Sequence, residues 1–318
     1  MLITMKQFTI AAFYQFIQIE NTENALNQIK LFCKEKKLRG TIIIATEGIN
    51  GTISGLPLNI EAFLSYLNQI GFSNSNIKIS KTRVMPFYRL KIKIKPEIIT
   101  FLGKSINLSV PRGFSVKPEN WDDFIKDENI ILLDVRNKYE TKLGSFVNAI
   151  DPQTNHFTEF KEFLTNNLEN YEGKKIAMFC TGGIRCEKAS LYLQQLGHKQ
   201  VYQLDGGILK YLETVPEIES KWTGECFVFD NRVSVTHQLK RGQYELCNGC
   251  REPISQNDKL SVKYEEGVSC AYCFDSLKDK KAIGSRERSR QIKQHKLHGT
   301  ISTFSDLTPE HYNRMNES

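Results

Sequence analysis

The sequence predicts a mixed α+β and α/β multidomain protein, and three observations carry that prediction. Strand and helix patterns follow the order βαββαβ over the first 95 residues. Two unbroken apolar runs come next, Ile130–Val135 (IILLDV) and Lys175–Cys180 (KIAMFC), as expected of parallel strands buried on both faces. Finally, two Cys-x-x-Cys hooks, Cys247/Cys250 and Cys270/Cys273, stand 19 residues apart. A length of 318 residues accommodates two domains, or three small ones. The expected divisions are 1–110, 111–221, 222–277 and 278–318.

The N-terminal elements follow from periodicity. Phe8–Phe16 reads as a strand, and Asn24–Lys36 as a helix with Leu26, Ile29 and Cys33 on one stripe. Gly40–Ala45 is β-branched and apolar. Gly48–Gly51 is expected to turn the chain into a short strand, Thr52–Ser54. Ile60, Phe63, Leu64, Leu67 and Ile70 recur at helical spacing, and Asn76–Arg83 is extended again. This is the split-βαβ, ferredoxin-like order, and it carries no catalytic signature. Leu90–Lys95 then alternates strictly, with Lys91, Lys93 and Lys95 on one face and Pro96 closing the strand. Two readings stand for it: an edge strand with a solvated basic face, or, with Arg83, Phe87, Tyr88 and Arg89, a basic aromatic surface for RNA. Pro111–Gly113 marks a boundary.

In the second region a doubly wound domain is expected, with Val201–Leu204 as a third strand and a helix over Arg185–Leu196. The loop Cys180-Thr-Gly-Gly-Ile-Arg185 lies between a buried strand and that helix, where doubly wound sheets hold ligands. Glycines let backbone N–H groups turn toward the sulfur, and the helix N-terminus adds positive potential. Both lower a thiol pKa, so Cys180 is expected to be a nucleophilic thiolate near neutral pH, with Arg185 able to clamp an anionic group. Four residues separate Cys180 from Arg185. Cysteine phosphatases have one more in that interval and commonly a His before the cysteine, where this chain has Phe179, so the tighter ring suits a persulfide sulfur instead. Cys186 either resolves an oxidised Cys180 or is a small buried residue. Cys33 and Cys226 belong to no motif and read as core.

Eight cysteines without an export signal favour metal or thiol chemistry over a disulfide scaffold. The paired hooks fit one tetrahedral zinc ion with Cys247, Cys250, Cys270 and Cys273 as ligands. Four protein ligands leave no open position for a substrate water, so the metal would be structural, supporting a module too small for a core of its own. His237 falls outside the spacing and reads as an ordinary histidine.

Composition adds exclusions. Apolar residues make up 40% and charged residues 25%, too balanced for disorder. No stretch reaches the roughly 18–20 consecutive apolar residues of a membrane span. The N-terminus lacks the basic and apolar regions of a signal peptide, so a cytoplasmic protein is expected. The net charge of +7 is uneven: residues 278–298 hold eight basic and two acidic side chains. Lys278, Lys280, Lys281, Arg286, Arg288, Arg290, Lys293 and Lys296 there form either a solvated tail or a contact for phosphates. Arg286, Arg288 and Arg290, with Lys91, Lys93 and Lys95, are the candidate RNA contacts.

Asp134-Val-Arg-Asn-Lys-Tyr-Glu140, Gly144–Ile150, Cys180–Arg185 and Leu204-Asp-Gly-Gly-Ile208 resemble the ordered landmarks of a rhodanese domain. By that resemblance Cys180 is the persulfide-carrying residue, while Asp134, Arg136 and Glu140 are mainly structural. Across nearly the whole chain, Ala45–Thr52 (ATEGINGT), Lys91–Glu97 (KIKIKPE), Cys180–Ser190 (CTGGIRCEKAS), Tyr202–Lys210 (YQLDGGILK) and Gly267–Cys270 (GVSC) are similar to the bacterial tRNA uridine hydroxylase family. That resemblance implies dioxygen-dependent conversion of the wobble uridine of certain tRNAs to 5-hydroxyuridine, with Cys180 required. It also implies tRNA and an electron donor as partners. No 2-His-1-carboxylate pattern and no GxGxxG for a flavin or nucleotide is present. Two other functions stay open: a sulfurtransferase passing sulfur through Cys180, and a non-catalytic RNA-binding protein.

Overall fold

A computed structural model describes residues 7–73 and 75–297. The first six residues and the stretch from 298 onward, which includes the end of the expected basic tail, lie outside the described residues.

The N-terminal domain is built from strand β1 (Phe8–Phe16), helix α1 (Thr22–Glu35), β2 (Arg39–Ala45), β3 (Gly48–Gly55), α2 (Pro57–Gln69) and β4 (Asn76–Thr82). A fifth strand, β5 (Leu90–Ile94), adds in parallel to β2 and gives the sheet order β4-β1-β3-β2-β5. The helices cover one face, because the apolar stripes of α1 (Ile29, Cys33) and α2 (Ile60, Phe63, Leu67) bury against Ala11, Phe13, Ile42, Ile44 and Ile53. The opposite face is set by the period of two: Ala12 pairs with Thr52 and Lys78, and Tyr14 with Asn50 and Asn76. The same face continues through Thr41 and Ile43 to Lys91 and Lys93 at the edge.

Gly48–Gly51 is not a turn; it lies within β3, an eight-residue strand paired on both sides. The reversal falls earlier, at Thr46–Glu47, where the Glu47 carboxylate is buried and accepts the N–H groups of Ile98 and Ile106 at 2.8 and 2.9 Å. Gly51 serves packing, since a β-carbon there would lie 2.8 Å from the Phe13 ring.

The second domain contains β6 (Phe114–Val116), α3 (Pro118–Phe124), β7 (Ile130–Asp134), α4 (Lys138–Thr141), β8 (Gly144–Phe146), α5 (Phe160–Asn167), β9 (Lys175–Phe179), α6 (Ile184–Gln195), β10 (Val201–Leu204) and α7 (Gly207–Thr214). Its parallel sheet runs β6-β10-β9-β7, with helices on both faces and separate apolar clusters beneath each. The three residues of β6 are too few to show a period.

Beyond α7, strand β11 (Trp222–Gly224) pairs with β8, and Trp222, Cys226, Val228 and Val235 pack with Phe146, Phe179 and Tyr211. The expected division at 221/222 therefore runs through one packed core. The cysteine-rich region follows, and helix α8 (Asp279–Leu297) lies against it. Among the described residues no helix is long and apolar enough to cross a membrane.

Candidate active site

Cys180 stands at the carboxyl end of the central strand β9, and Thr181–Gly183 bring the chain into α6. The turn depends on Gly183, whose φ of 98° lies in the left-handed region. A β-carbon at Gly183 would also approach the Tyr14 hydroxyl to 2.9 Å. The loop is held from below by α7: Ile208 and Leu209 N–H groups donate to the Cys180 and Thr181 carbonyls, each at 3.0 Å. Gly207 permits this approach, for a side chain there would meet the Cys180 carbonyl at 2.5 Å and the Gly183 nitrogen at 2.8 Å.

The sulfur is buried, yet its pKa is lowered to about 5. Burial alone would raise it. That effect is outweighed by a hydrogen bond from the Cys186 thiol, the Arg185 charge, and the backbone N–H groups of Cys186 and Gly183, the last at 3.1 Å. Cys186 is pushed well above its ordinary range by burial and by the neighbouring thiolate. It therefore remains a protonated donor, a role neither sequence reading gave it. Sulfur reactivity rises with the thiolate fraction, so alkylation of Cys180 should be half-maximal near pH 5 and flat above about pH 7. Cys186→Ala should move that midpoint upward. An unmoved midpoint, read by mass spectrometry of iodoacetamide-treated protein, would remove Cys186 from the sulfur's electrostatics.

Arg185 differs from expectation. Its guanidinium is bidentate to Glu140, with contacts of 2.6 and 2.7 Å, and both side chains are buried. The fork expected to clamp an external anion is already filled, although the charge still acts on Cys180. Glu140 also accepts from the Thr181 hydroxyl at 3.2 Å and from the Asn137 N–H at 3.1 Å, which ties α4 to the loop. Arg136 and Asp134 form a buried pair at 2.6 Å, supported by Ser145, the Gly144 carbonyl and the Trp222 ring. These two are structural, as read from sequence.

The open face of the N-terminal sheet stands over this loop. Between them lies a cavity of about 450 Å³, lined by Cys180, Thr181, Gly182, Ile184 and Arg185 on one side. Tyr14, Asn50, Thr52, Asn76 and Lys78 line it on the other, with Phe87, Tyr139 and Phe229 at the side. Thr41, Phe87, Tyr139 and Phe229 also line an adjoining groove that carries Arg89, Lys91 and Arg251. No sequence signal marked the N-terminal wall. The alternation Asn76-Ile-Lys-Ile-Ser80 was available, but it reads as an ordinary solvated face.

Lys188, one turn beyond the loop on α6, is fully buried and donates to Glu47 at 2.6 Å, Glu97 at 2.9 Å and the Ile99 carbonyl at 2.9 Å. This joins the loop's helix to the N-terminal domain and to the segment after β5.

The four cysteines form the predicted cluster, with all four Sγ atoms within 4.8 Å of one another. The pairs Cys247/Cys273 and Cys250/Cys270 are 3.8 and 3.7 Å apart. A tetrahedron of Zn–S bonds of about 2.3 Å has edges of about 3.8 Å, so the residues fit zinc. One zinc per chain is expected by elemental analysis, lost in Cys270→Ser; a metal-free folded protein would overturn the assignment. His237 stands apart from the cluster, beside Thr236 and Glu217.

The basic stretch is helical rather than a free tail. Arg286 pairs with Glu265 at 2.6 Å, Arg290 with Glu287 at 2.8 Å and Lys293 with Glu266 at 3.0 Å. Of the three candidate arginines, Arg288 lines a groove with Arg241, Arg251 and Tyr88, which meets the Cys180 cavity at Arg232. Lys91, Lys93 and Lys95 are exposed; Lys91 lines the groove that adjoins the Cys180 cavity, and Tyr88 and Arg251 are common to that groove and to the one lined by Arg288.

Residues 8–98 match the family described as UPF0176 acylphosphatase like domain, and residues 117–214 match the rhodanese-like domain. The chain thus carries an acylphosphatase-like domain followed by a rhodanese domain. A rhodanese-related protein from Thermoplasma volcanium is 29% identical over 32% of this chain and 95% of its own, with a TM-score of 0.26. The reduced CoADR-RHD protein of Bacillus anthracis is 26% identical over 31% of this chain, TM-score 0.26, and this chain spans 16% of its length. An acylphosphatase from Coxiella burnetii is 12% identical over 28% of this chain and 94% of its own, TM-score 0.22. In the rhodanese domain, Cys180 occupies the loop after the central strand and Gly206–Gly207 the support beneath it.

Proposed function

We propose that this protein hydroxylates the wobble uridine of tRNA to 5-hydroxyuridine, with Cys180 as the reacting group. The observation that carries the reading is the cavity itself: a thiolate faces a sheet wall that sets Asn50, Thr52, Asn76 and Lys78 among apolar residues such as Ala12 and Ile43, and the side of that cavity adjoins a groove bearing Arg89 and Lys91. A nucleotide extruded from an anticodon loop suits such a site. Phe87, Tyr139 and Phe229 offer faces for the base, and exposed lysines offer charge for the backbone.

In this reading the Cys180 sulfur adds to C6 of the uracil ring, which raises electron density at C5. The oxygen atom comes from dioxygen. Its second atom leaves as water after two electrons and two protons arrive from an external donor. Elimination of the thiolate then restores the ring. The Cys186 thiol and the loop N–H groups hold the sulfur as an anion before and after the step. The four-cysteine cluster would hold zinc in a structural role and supply no chemistry to this step.

Deleting the gene and measuring tRNA nucleosides by mass spectrometry tests the reading. Loss of 5-hydroxyuridine, restored by the wild-type gene, is expected; an unchanged level in a strain without a parallel route would refute it. Transfer of sulfane sulfur through a Cys180 persulfide is the second reading, favoured by the short loop between Cys180 and Arg185. It predicts thiocyanate formation from thiosulfate and cyanide without any tRNA.

A further inference from the structure

Four charged side chains line the Cys180 cavity: Arg185, Asp230, Arg232 and Lys78. Arg185 is bound by Glu140, and Arg232 by Asp230 with contacts of 2.7 to 3.1 Å. Lys78 differs. Its ammonium donates to the neutral Asn76 side chain and lies 5.6 Å from the centre of the Tyr14 ring. Among the described residues no carboxylate forms an ion pair with it. The position is fixed by the sheet, since Lys78 pairs with Ala12 on the face turned toward the thiol loop. From below, the Lys78 stem comes near Gly206, where a β-carbon would lie 3.7 Å from its Cε. The negative charges that act on it are the Cys180 thiolate, Asp205 and Glu187, and no carboxylate closes on the ammonium, so it still has a donor to offer an anion in the cavity.

We infer that Lys78 is an anion-binding residue of the Cys180 cavity, there to meet an oxyanion, phosphate or sulfonate, carried by the molecule on which Cys180 acts. The inference deepens the function proposed above by naming the charge its substrate bears beside the reacting atom. It also explains how a rhodanese loop whose arginine is internally neutralised can still recognise an anion: the charge comes from the N-terminal domain. Burial lowers the Lys78 pKa to about 8, against the raising effects of Cys180, Asp205 and Glu187 and with the lowering effect of Lys210. Its charge therefore falls as pH rises from 7 to 9. Cys180, near 5, and Tyr14, pushed well above its ordinary value by burial, do not change over that interval.

The test is calorimetric titration of the full-length protein with sulfate, whose own charge is constant over this range, and with uridine 5′-monophosphate. Saturable binding is expected for at least one of them. It should weaken about tenfold or more in Lys78→Met, stay within about threefold in Lys78→Arg, and weaken in the wild type between pH 7 and pH 9. The wild-type pH series needs no substitution, so a folding defect cannot imitate it. Tighter binding of the nucleotide assigns the site to a nucleotide phosphate, and binding of sulfate alone assigns it to a small free oxyanion. Failure of both to bind, equal binding to Lys78→Met, or a pH-independent affinity would overturn the inference. The two proposals separate cleanly: tRNA hydroxylated normally by Lys78→Met leaves the function standing and removes the anion site. Anion binding without tRNA hydroxylation does the reverse.

Discussion

Cys180→Ser should lower 5-hydroxyuridine formation by about a thousandfold or more while leaving tRNA affinity within about twofold. The contrast follows from the loop's construction. A serine hydroxyl is no anion at neutral pH, so the donors that hold the sulfur as thiolate, the Cys186 thiol and the Gly183 and Cys186 N–H groups, have no negative charge to stabilise. Arg185 keeps its bidentate Glu140 contact in the variant, so no buried charge is stranded and the fold is retained. The exposed Lys91 and Lys93 are untouched. The measurement is nucleoside mass spectrometry of tRNA from a deletion strain carrying either gene, alongside filter binding at fixed salt. A Cys180→Ser protein that restores the modified nucleoside to a tenth of wild type would exclude nucleophilic chemistry at this sulfur. Equal loss of binding would show that Cys180 holds the fold instead.

Lys188→Met should destabilise the protein by about 3–5 kcal/mol at pH 7. Glu47, Glu97 and Lys188 are each no more than 2% exposed, and the lysine is the cation between two carboxylates. Its removal leaves two buried negative charges close together. Glu97 supplies the sign of the pH dependence. Burial pushes its carboxyl upward, but the Phe101 N–H, Lys188 and the Leu102 N–H outweigh this, so its pKa is lowered in the native protein. A depressed carboxyl stabilises above its unfolded value, and that contribution is lost as pH falls. The difference between wild type and Lys188→Met should therefore shrink as pH falls below the ordinary glutamate value of about 4.3 and on through the lower value of Glu97. Urea unfolding at pH 7 and at about pH 3 provides the comparison. Replacing all three groups at once, with Glu47→Gln, Glu97→Gln and Lys188→Met, should recover part of the loss, since no charge is then stranded. A single-variant cost below about 1 kcal/mol would mean that the two carboxylates are relieved without Lys188.

How much of this is legible in the sequence depends on distance along the chain. The strands and helices of both domains, the thiolate loop and the four-cysteine cluster are local patterns, and sequence and structure agree on most of their bounds to within a few residues. Gly48–Gly51 misleads because glycine signals turns, while here its small volume accommodates the Phe13 ring from the neighbouring strand. The Arg185 fork is misassigned for a related reason: its partner, Glu140, is 45 residues away and reads as a structural residue of the motif that opens the domain. Lys188 and Glu47 are 141 residues apart, and no periodicity connects them. Tyr14 and Lys78 join the site only through the packing of one domain on the other. Sequence reasoning finds the reacting sulfur and misses the wall that faces it.

The Tyr14 contact with the thiol loop also bears on how the protein is made. Tyr14 stands against Gly183, and its hydroxyl feels the charge of Glu187 on the helix that follows. The N-terminal sheet leaves the ribosome well before Cys180 is synthesised, and domains fold largely as units in that order. The loop therefore closes against a finished surface, which acts as a template for its last turn. A chain started after residue 110 would have to form the same loop with no template, leaving Lys188 without Glu47, Glu97 and the Ile99 carbonyl and Gly183 without the phenol beside it.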